Sequence, residues 1–139
     1  MKIGVIIAAG GNSARMGGED KSFIPIAGKP LAEWTLSAFC GIKGIEQVVI
    51  VTPPERQKAY APILARLKMT ADFAPAGARR QDSVYAGLQR LRNIDIVLIH
   101  DLARPAIGKE IILKSLGEVA HSGACVVGIP AKDTIKIVD

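Results

Sequence analysis

The most constraining feature of this chain is the rhythm of its apolar residues. Short aliphatic runs, apolar at consecutive positions, alternate with stretches whose apolar residues recur every three or four. Lys2 to Ala8, with Ile3, Val5, Ile6 and Ile7, is the first such run, and it ends on glycine. A strand that is apolar on both sides would place half its side chains in water on a one-sided antiparallel sheet. It belongs in a parallel sheet covered on both faces.

The rest of the chain keeps that alternation. Pro30 can occupy the first position of a helix carrying Leu31, Trp34, Ala38 and Phe39, with Gly41 as the stop. Gln47 to Thr52 reads as a second strand, and Pro54 opens a helical segment that Pro62 kinks or splits. Thr70 to Ala74 is a weaker strand. Ser83 to Arg92 is an amphipathic helix through Val84, Leu88 and Leu91, with Asp82 as its N-cap. Ile94 to His100 is a strong strand, and a helix near Lys109 to His121 closes at Gly123. Ala124 to Ile129 and Thr134 to Val138 read as further strands, and Trp34 and the methionines as core. Strands separated by helices predict a three-layer, Rossmann-like α/β fold with a mostly parallel sheet. With 139 residues and no repeat or low-complexity linker, a single domain over residues 1–139 is expected.

Composition removes several function classes. Two cysteines and two histidines are too few for a disulfide scaffold or a Cys/His zinc cluster. No apolar run approaches the roughly 20 residues that cross a bilayer, so no membrane partner is expected. The apolar start is at the lower limit for a signal peptide, and the Gly-Asn-Ser-Ala-Arg after it reads better as a working loop. A cytoplasmic protein with Cys40 and Cys125 reduced is expected. The net charge of +5 suits an anionic partner. The basic residues are spread out, Arg79-Arg80 being the only adjacent pair, and aromatics make up 4%. Nucleic-acid binding favours a basic stripe interleaved with stacking aromatics, so a small phosphorylated ligand is the better expectation.

Open parallel sheets bind ligands beyond the carboxyl ends of their strands, which singles out Ala9–Ser22, Pro75–Gln81, Asp101–Gly108 and the segment around Pro130–Asp133. The first holds Gly10, Gly11, Gly17 and Gly18 with Arg15 and Lys21. Glycines let backbone amides close on phosphate oxygens, and the two cations suit a polyphosphate. The spacing matches neither the Walker phosphate loop nor the dinucleotide fingerprint. In the second, Arg80 and Ser83 stand at a helix N-terminus that favours an anion or a polar base edge. In the third, Asp101 can hold a magnesium ion whose other ligands come from phosphate and water, and Arg104 a further phosphate. The plainer reading of that turn is an ion pair between Asp101 and Arg104. His100 reads as a packed strand-end residue.

Taken together, Ala8-Ala9-Gly10 with Arg15-Met16-Gly17 and Lys21, then Arg80-Gln81-Asp82-Ser83-Val84, then His100-Asp101-x-Ala103-Arg104-Pro105, then Asp133-Thr134-x-Lys136 resembles the 2-C-methyl-D-erythritol 4-phosphate cytidylyltransferases of non-mevalonate isoprenoid synthesis. The resemblance implies transfer of CMP from CTP to methylerythritol phosphate, with release of pyrophosphate and with Mg²⁺ as cofactor. By motif, it implies nucleotide contacts at Ala8, Ala9, Gly10, Gly11, Gly77, Arg80, Asp82 and Ser83. Arg15 and Lys21 become the catalytic pair, Asp101 the metal ligand, and Arg104 and Thr134 groups on the acceptor side. The match has departures: Asp20 stands where proline is usual, and Leu102 replaces a small residue beside Asp101. The family pattern also runs on past Asp139 through further acceptor-site segments and a dimerisation arm, so the domain is expected to be shortened at its C-terminus and the family's homodimer to belong to full-length members. The first loop alone is also similar to that of molybdenum-cofactor guanylyltransferase. Ribitol phosphate cytidylyltransferase shares most of the nucleotide site, and a non-catalytic nucleotide-binding fragment is the reading from outside the enzymes.

Overall fold

The computed structural model describes residues 1–11 and 21–132. They fall into two compact units, Met1–Ile107 and Gly108–Asp139. The first runs β1 (Ile3–Ala8), a 3-10 turn (Lys21–Phe23), β2 (Pro25–Ile26), β3 (Lys29–Pro30), α1 (Leu31–Ser37), β4 (Ile45–Val51), a 3-10 segment (Pro54–Tyr60), α2 (Ala61–Leu67), β5 (Asp72–Ala74), α3 (Arg80–Leu88) and β6 (Ile96–Asp101). The second holds α4 (Lys109–Ser122), which ends where Gly123 turns to a φ of 77°.

The main sheet has the order β5-β4-β1-β6, and every pairing in it is parallel. That is the α/β arrangement the alternation predicts. The register aligns Ala8 with Val51 on one side and with Asp101 on the other, so three strands end level. Their following loops therefore emerge together, which is what places a site.

Both faces of the inner strands β1 and β4 are covered, whereas Ile99 on the edge strand β6 is exposed. Val5, Ile6, Ile7, Val49, Ile50 and Val51 are fully buried, and each such side chain contributes about 1.5–3 kcal/mol relative to exposure. On one face Ile6, Val49, Val51 and Ala74 pack with Leu91 and Ala86, so α3 and its continuation form that layer. On the other, Phe39 just past α1 meets His100 at 5.6 Å between ring centroids, and Tyr60 meets Phe73 at 6.0 Å. Residues on α1 and the segment before α2 thus supply the third layer.

Most elements fall where the periodicity puts them, and Pro62 splits the region after β4 as expected, sitting in the first turn of α2. Four expectations need correction. Asp82 is not the N-cap of α3, because the helix begins three residues earlier than its apolar face: Arg79 caps it and Asp82 is the third helical residue, accepting from the Arg79 amide at 3.1 Å. Residues 124–129 form no strand. Val126 and Ile129 are 94% and 84% exposed, and a β-strand exists only through a neighbour's ladder, which this run lacks among the described residues. Trp34 is half-buried rather than core, because its indole Nε1–H reaches out to Ile26 O at 2.8 Å under the Lys29 ammonium. Met1 is exposed at the chain start. The Thr134–Val138 strand lies outside the described residues.

Candidate functional site

A cleft of about 880 Å³ opens at the carboxyl ends of the sheet, and the loops after β1, β4, β5 and β6 all line it. Ala8, Ala9, Gly10, Gly11, Lys21 and Ser22 come from the first loop, and Pro53 from the end of β4. Ala76 to Arg80 with Ser83 form the second wall, and Asp101 to Arg104 the third. This size suits a small organic ligand.

Close backbone approach shapes the first two walls. A Cβ on Gly10 would run into the side chain of Ala76, so only glycine lets these loops touch. At Gly77 a Cβ would stand 2.5 Å from Asp82 Cβ and 3.1 Å from its carbonyl carbon. The freed space allows the Gly77 amide to donate to Ser83 Oγ at 3.0 Å, folding the loop over the start of α3. Ser83 is buried, its hydroxyl oxygen accepts this bond and keeps its own proton to donate, and its backbone lies at the helix N-terminus.

The charges then fall into two groups. Asp82, which does not line the cleft, pairs with Arg79, which does, with Nε–Oδ2 at 3.1 Å and Nη2–Oδ1 at 2.9 Å. The guanidinium holds the Asp82 carboxyl below its ordinary range, and the carboxylate raises Arg79 in return. Asp101 stays in the cleft, 31% exposed, with an arginine on each oxygen. Arg80 reaches Oδ1 through Nε at 3.0 Å and Nη2 at 2.9 Å, while Arg104 Nε meets Oδ2 at 3.1 Å. The Asp101–Arg104 ion pair, the plainer of the two readings of this turn, is therefore present and is half of a larger arrangement. Among the described residues lining the cleft, Lys21, Arg80 and Arg104 outnumber the acid Asp101, Arg79 being paired with Asp82, and this excess of positive charge attracts anions.

Of the residues singled out by motif, Ala8, Ala9, Gly10, Gly11, Lys21, Gly77, Arg80, Ser83, Asp101 and Arg104 line this one cleft. Asp82 does not; it acts on Arg79 and the backbone behind the wall. Arg15 and Thr134 lie outside the described residues. His100 packs as expected, its Nε2 bonded to Arg104 O at 3.0 Å. Pro53, Ala76 and Ala78 escaped the motif reading. Ala76 and Ala78 lie in the Pro75–Gln81 loop that the strand-end rule singles out, and Pro53, two residues past β4, was reachable by the same rule, whereas the contact of Ala76 with Gly10 leaves no mark in sequence.

As a cation seat, Asp101 supplies one hard oxygen donor, and among the described residues no cluster of three His, Cys, Asp or Glu surrounds it. That donor set fits magnesium, which takes one or two carboxylates and completes its shell with phosphate and water. It does not fit a resident all-protein metal cage. Both oxygens carry guanidinium N–H groups, so a cation would enter only as the arginines move onto an incoming anion.

Residues 3–139 match the family model described as 2-C-methyl-D-erythritol 4-phosphate cytidylyltransferase. The chain belongs to that family. Its relatives include the chloroplastic 2-C-methyl-D-erythritol 4-phosphate cytidylyltransferase of Oryza sativa, 36% identical over 99% of this chain and 47% of the rice protein. The enzyme of the same name from Clostridium perfringens is 38% identical over 98% of this chain and 62% of its own length. The crystal structure of 4-diphosphocytidyl-2C-methyl-D-erythritol synthase from Anaerococcus prevotii superposes with a TM-score of 0.86 at 27% identity, over 99% of this chain and 59% of that one. A CMP:2-keto-3-deoxy-manno-octonic acid synthetase in complex with CTP shares the fold, with a TM-score of 0.70 at 18% identity over 89% of this chain and 49% of that one. This cytidylyltransferase-family chain thus spans about half to two thirds of the length of the relatives it matches.

Proposed function

We propose that this chain carries the CTP-handling part of a cytidylyltransferase that transfers CMP from CTP to 2-C-methyl-D-erythritol 4-phosphate and releases pyrophosphate. The observation that carries the reading is the cleft where four strand-end loops converge, with Arg80 and Arg104 on Asp101 and Lys21 lining the same cleft. Family membership over residues 3–139 adds the substrate class.

The chemistry asks for little covalent help. A phosphate monoester has a second pKa near 6, so the attacking group is already largely dianionic at pH 7 and needs no general base. What it needs is charge neutralisation between two polyanions, in-line alignment on the α-phosphorus, and stabilisation of equatorial charge. While the Ala9 amide is already given to Val51 O at 2.8 Å, Gly10 and Gly11 line the cleft and offer their backbone amides as phosphate donors. Lys21, half-buried at the start of its 3-10 turn, places an ammonium beside them. Arg80 and Arg104 are held ready on Asp101 and exchange that carboxylate for phosphate oxygens. Arg15 joins Lys21 on the triphosphate by motif, and Thr134 stands with Arg104 on the acceptor side. Asp101 would hold a magnesium ion, which supplies neutralisation of charge on the phosphate oxygens.

The partners in this reading are two small phosphorylated molecules, and neither a nucleic acid nor a membrane is among them. Among the described residues no helix is long and apolar enough to cross a membrane. A cytoplasmic setting, with Cys40 and Cys125 kept as thiols, is part of the same proposal. A homodimer is proposed for full-length members and is checked by light scattering on one of them. The decisive assay is pyrophosphate release from CTP plus methylerythritol phosphate in Mg²⁺, with CTP and GTP compared by thermal shift. Release together with a preference for CTP supports the reading. Stabilisation by GTP over CTP overturns the base assignment, and CTP binding without release leaves a nucleotide-binding module.

A further inference from the structure

Thr35 is fully buried on α1, yet its hydroxyl reaches the carbonyl of Leu102, 67 residues further along the chain, at 2.6 Å. Leu31 O, one turn back in the same helix, is a much poorer acceptor at 3.4 Å. A threonine hydroxyl has one proton to give, and the distances assign it to Leu102. The neighbouring amide is held as well, because Leu102 N–H donates to Ala8 O at 3.0 Å. Leu102 is thus tied through its amide to the end of β1 and through its carbonyl to α1. It follows Asp101 directly, and Arg104 N–H folds back on Asp101 O at 3.1 Å.

The same helix reaches the other wall. Leu31 N–H donates to Ile24 O at 2.9 Å and Trp34 Nε1–H to Ile26 O at 2.8 Å, which anchors the segment that follows Lys21. From α1, then, short directional bonds run to the loop that carries Asp101 and Arg104 and to the strand that leads away from Lys21.

We infer that Thr35 is a positioning residue: through the Leu102 carbonyl it sets the backbone that aims Asp101 and Arg104 into the nucleotide cleft. The effect on ligand rests on the proposed CTP-binding function, while the effect on the loop does not. Thr35 touches no substrate. Its hydroxyl fixes a peptide plane, and an unpaired buried carbonyl at that place would let the loop turn toward water.

The test uses the whole chain with three substitutions, Thr35→Val, Thr35→Ser and Glu33→Gln. Glu33 lies on the same helix and is nearly as buried, but its carboxylate is paired with Arg66 on α2 at 2.7 Å, away from the cleft. The valine variant should speed amide hydrogen exchange at Leu102 and Arg104 about tenfold and weaken Mg²⁺-supported CTP binding by a similar factor. The serine variant should restore both to within about twofold, since it keeps the donor. The Glu33 variant should lower the melting temperature without moving either quantity. Wild-type exchange in the valine variant, failure of serine to restore it, or an equal effect from Glu33→Gln would each overturn the inference. If the wild-type chain binds no CTP, the nucleotide reading falls, and the exchange measurement still decides whether Thr35 positions the loop.

Discussion

Arg80, in the first turn of α3, lies against Asp101 at the end of β6, with two of its nitrogens within 3.0 Å of the same carboxylate oxygen. The two side chains come from different walls of the cleft, so the pair clasps the walls together before any anion arrives. Arg104 occupies the second oxygen from the same loop as Asp101. All three groups are partly solvated, and exposed pairs of this kind add about 0–1 kcal/mol to stability. Their value is in orientation: two guanidinium forks stand preformed in the cleft and already stripped of some rotamer freedom.

That geometry separates two roles of Asp101. In Asp101→Asn the arginines lose their counter-charge, so CTP measured without metal should bind as well as or about fivefold better, the size of one screened charge interaction at contact. Mg²⁺-supported pyrophosphate release should fall by about 10² or more, since the hard anionic donor is gone. Calorimetry in EDTA and turnover in Mg²⁺ read the two effects. Parallel losses in both would show that Asp101 serves only to hold the arginines.

Lys21 opens the 3-10 turn that follows the first loop, and it lines the same cleft as Gly10 and Gly11. If its ammonium acts on charge that develops during transfer, Lys21→Ala should lower turnover by about 10² or more while the melting temperature stays within a few degrees. Unchanged turnover would remove it from the mechanism. Arginine in its place keeps the charge but changes its shape, so partial recovery in Lys21→Arg would favour a point-charge role.

Much of this was legible in the sequence, for a physical reason. Consecutive aliphatic residues such as Val5-Ile6-Ile7 and Val48 to Val51 leave no solvated face, so they dictate a covered parallel sheet, and the sheet dictates where a ligand sits. The motif residues then needed only to lie at strand ends, and Gly10, Gly77, Arg80 and Asp101 do. The illegible parts depend on partners distant in sequence. Nothing local says that Ala76 abuts Gly10 or that Thr35 reaches Leu102. The hairpin of β2 and β3 was missed because each arm is two residues long, too short for any periodicity, and its turn places Ala27 rather than only Gly28 at positive φ. Residues 124–129 misled for the converse reason, since an apolar run states a capacity for pairing and not the presence of a neighbour.

Gly77 offers a test of how tightly the second wall is built. Its missing side chain is filled by Asp82 and the start of α3, with backbone as close as 3.1 Å to where a Cβ would be. Backbone cannot swing aside as a flexible side chain can, so Gly77→Ala should cost about 1–3 kcal/mol, as overpacking does. It should also break the Gly77 amide bond to Ser83 Oγ. Chemical denaturation reads the first effect. Loss of CTP affinity in Gly77→Ala, larger than in Ser83→Ala, reads the second, because the glycine change displaces the loop whereas the serine change removes one acceptor.

The Arg79–Asp82 pair predicts a pH dependence whose sign is set by the carboxylate. Asp82 is more acidic in the folded chain than an unfolded aspartate, because the Arg79 guanidinium and amide both favour its charged form. The unfolded state therefore binds the proton more readily. The stabilising contribution is complete above the ordinary aspartate range, about pH 4, and it drains away as the pH falls from there through the lower folded value. Arg79 shifts upward, so its contribution is intact at every pH below the ordinary arginine range and adds no slope under acid conditions. Both groups are open to solvent, the Asp82 side chain 36% exposed, and salt screens them, so the effect should be small and should shrink further in 1 M NaCl. Melting temperatures of the wild type and Asp82→Asn between pH 7 and pH 2 provide the check. The two curves should lie apart at neutral pH and converge in acid, and curves that stay parallel to pH 2 would show that the pair does not couple to folding at the start of α3.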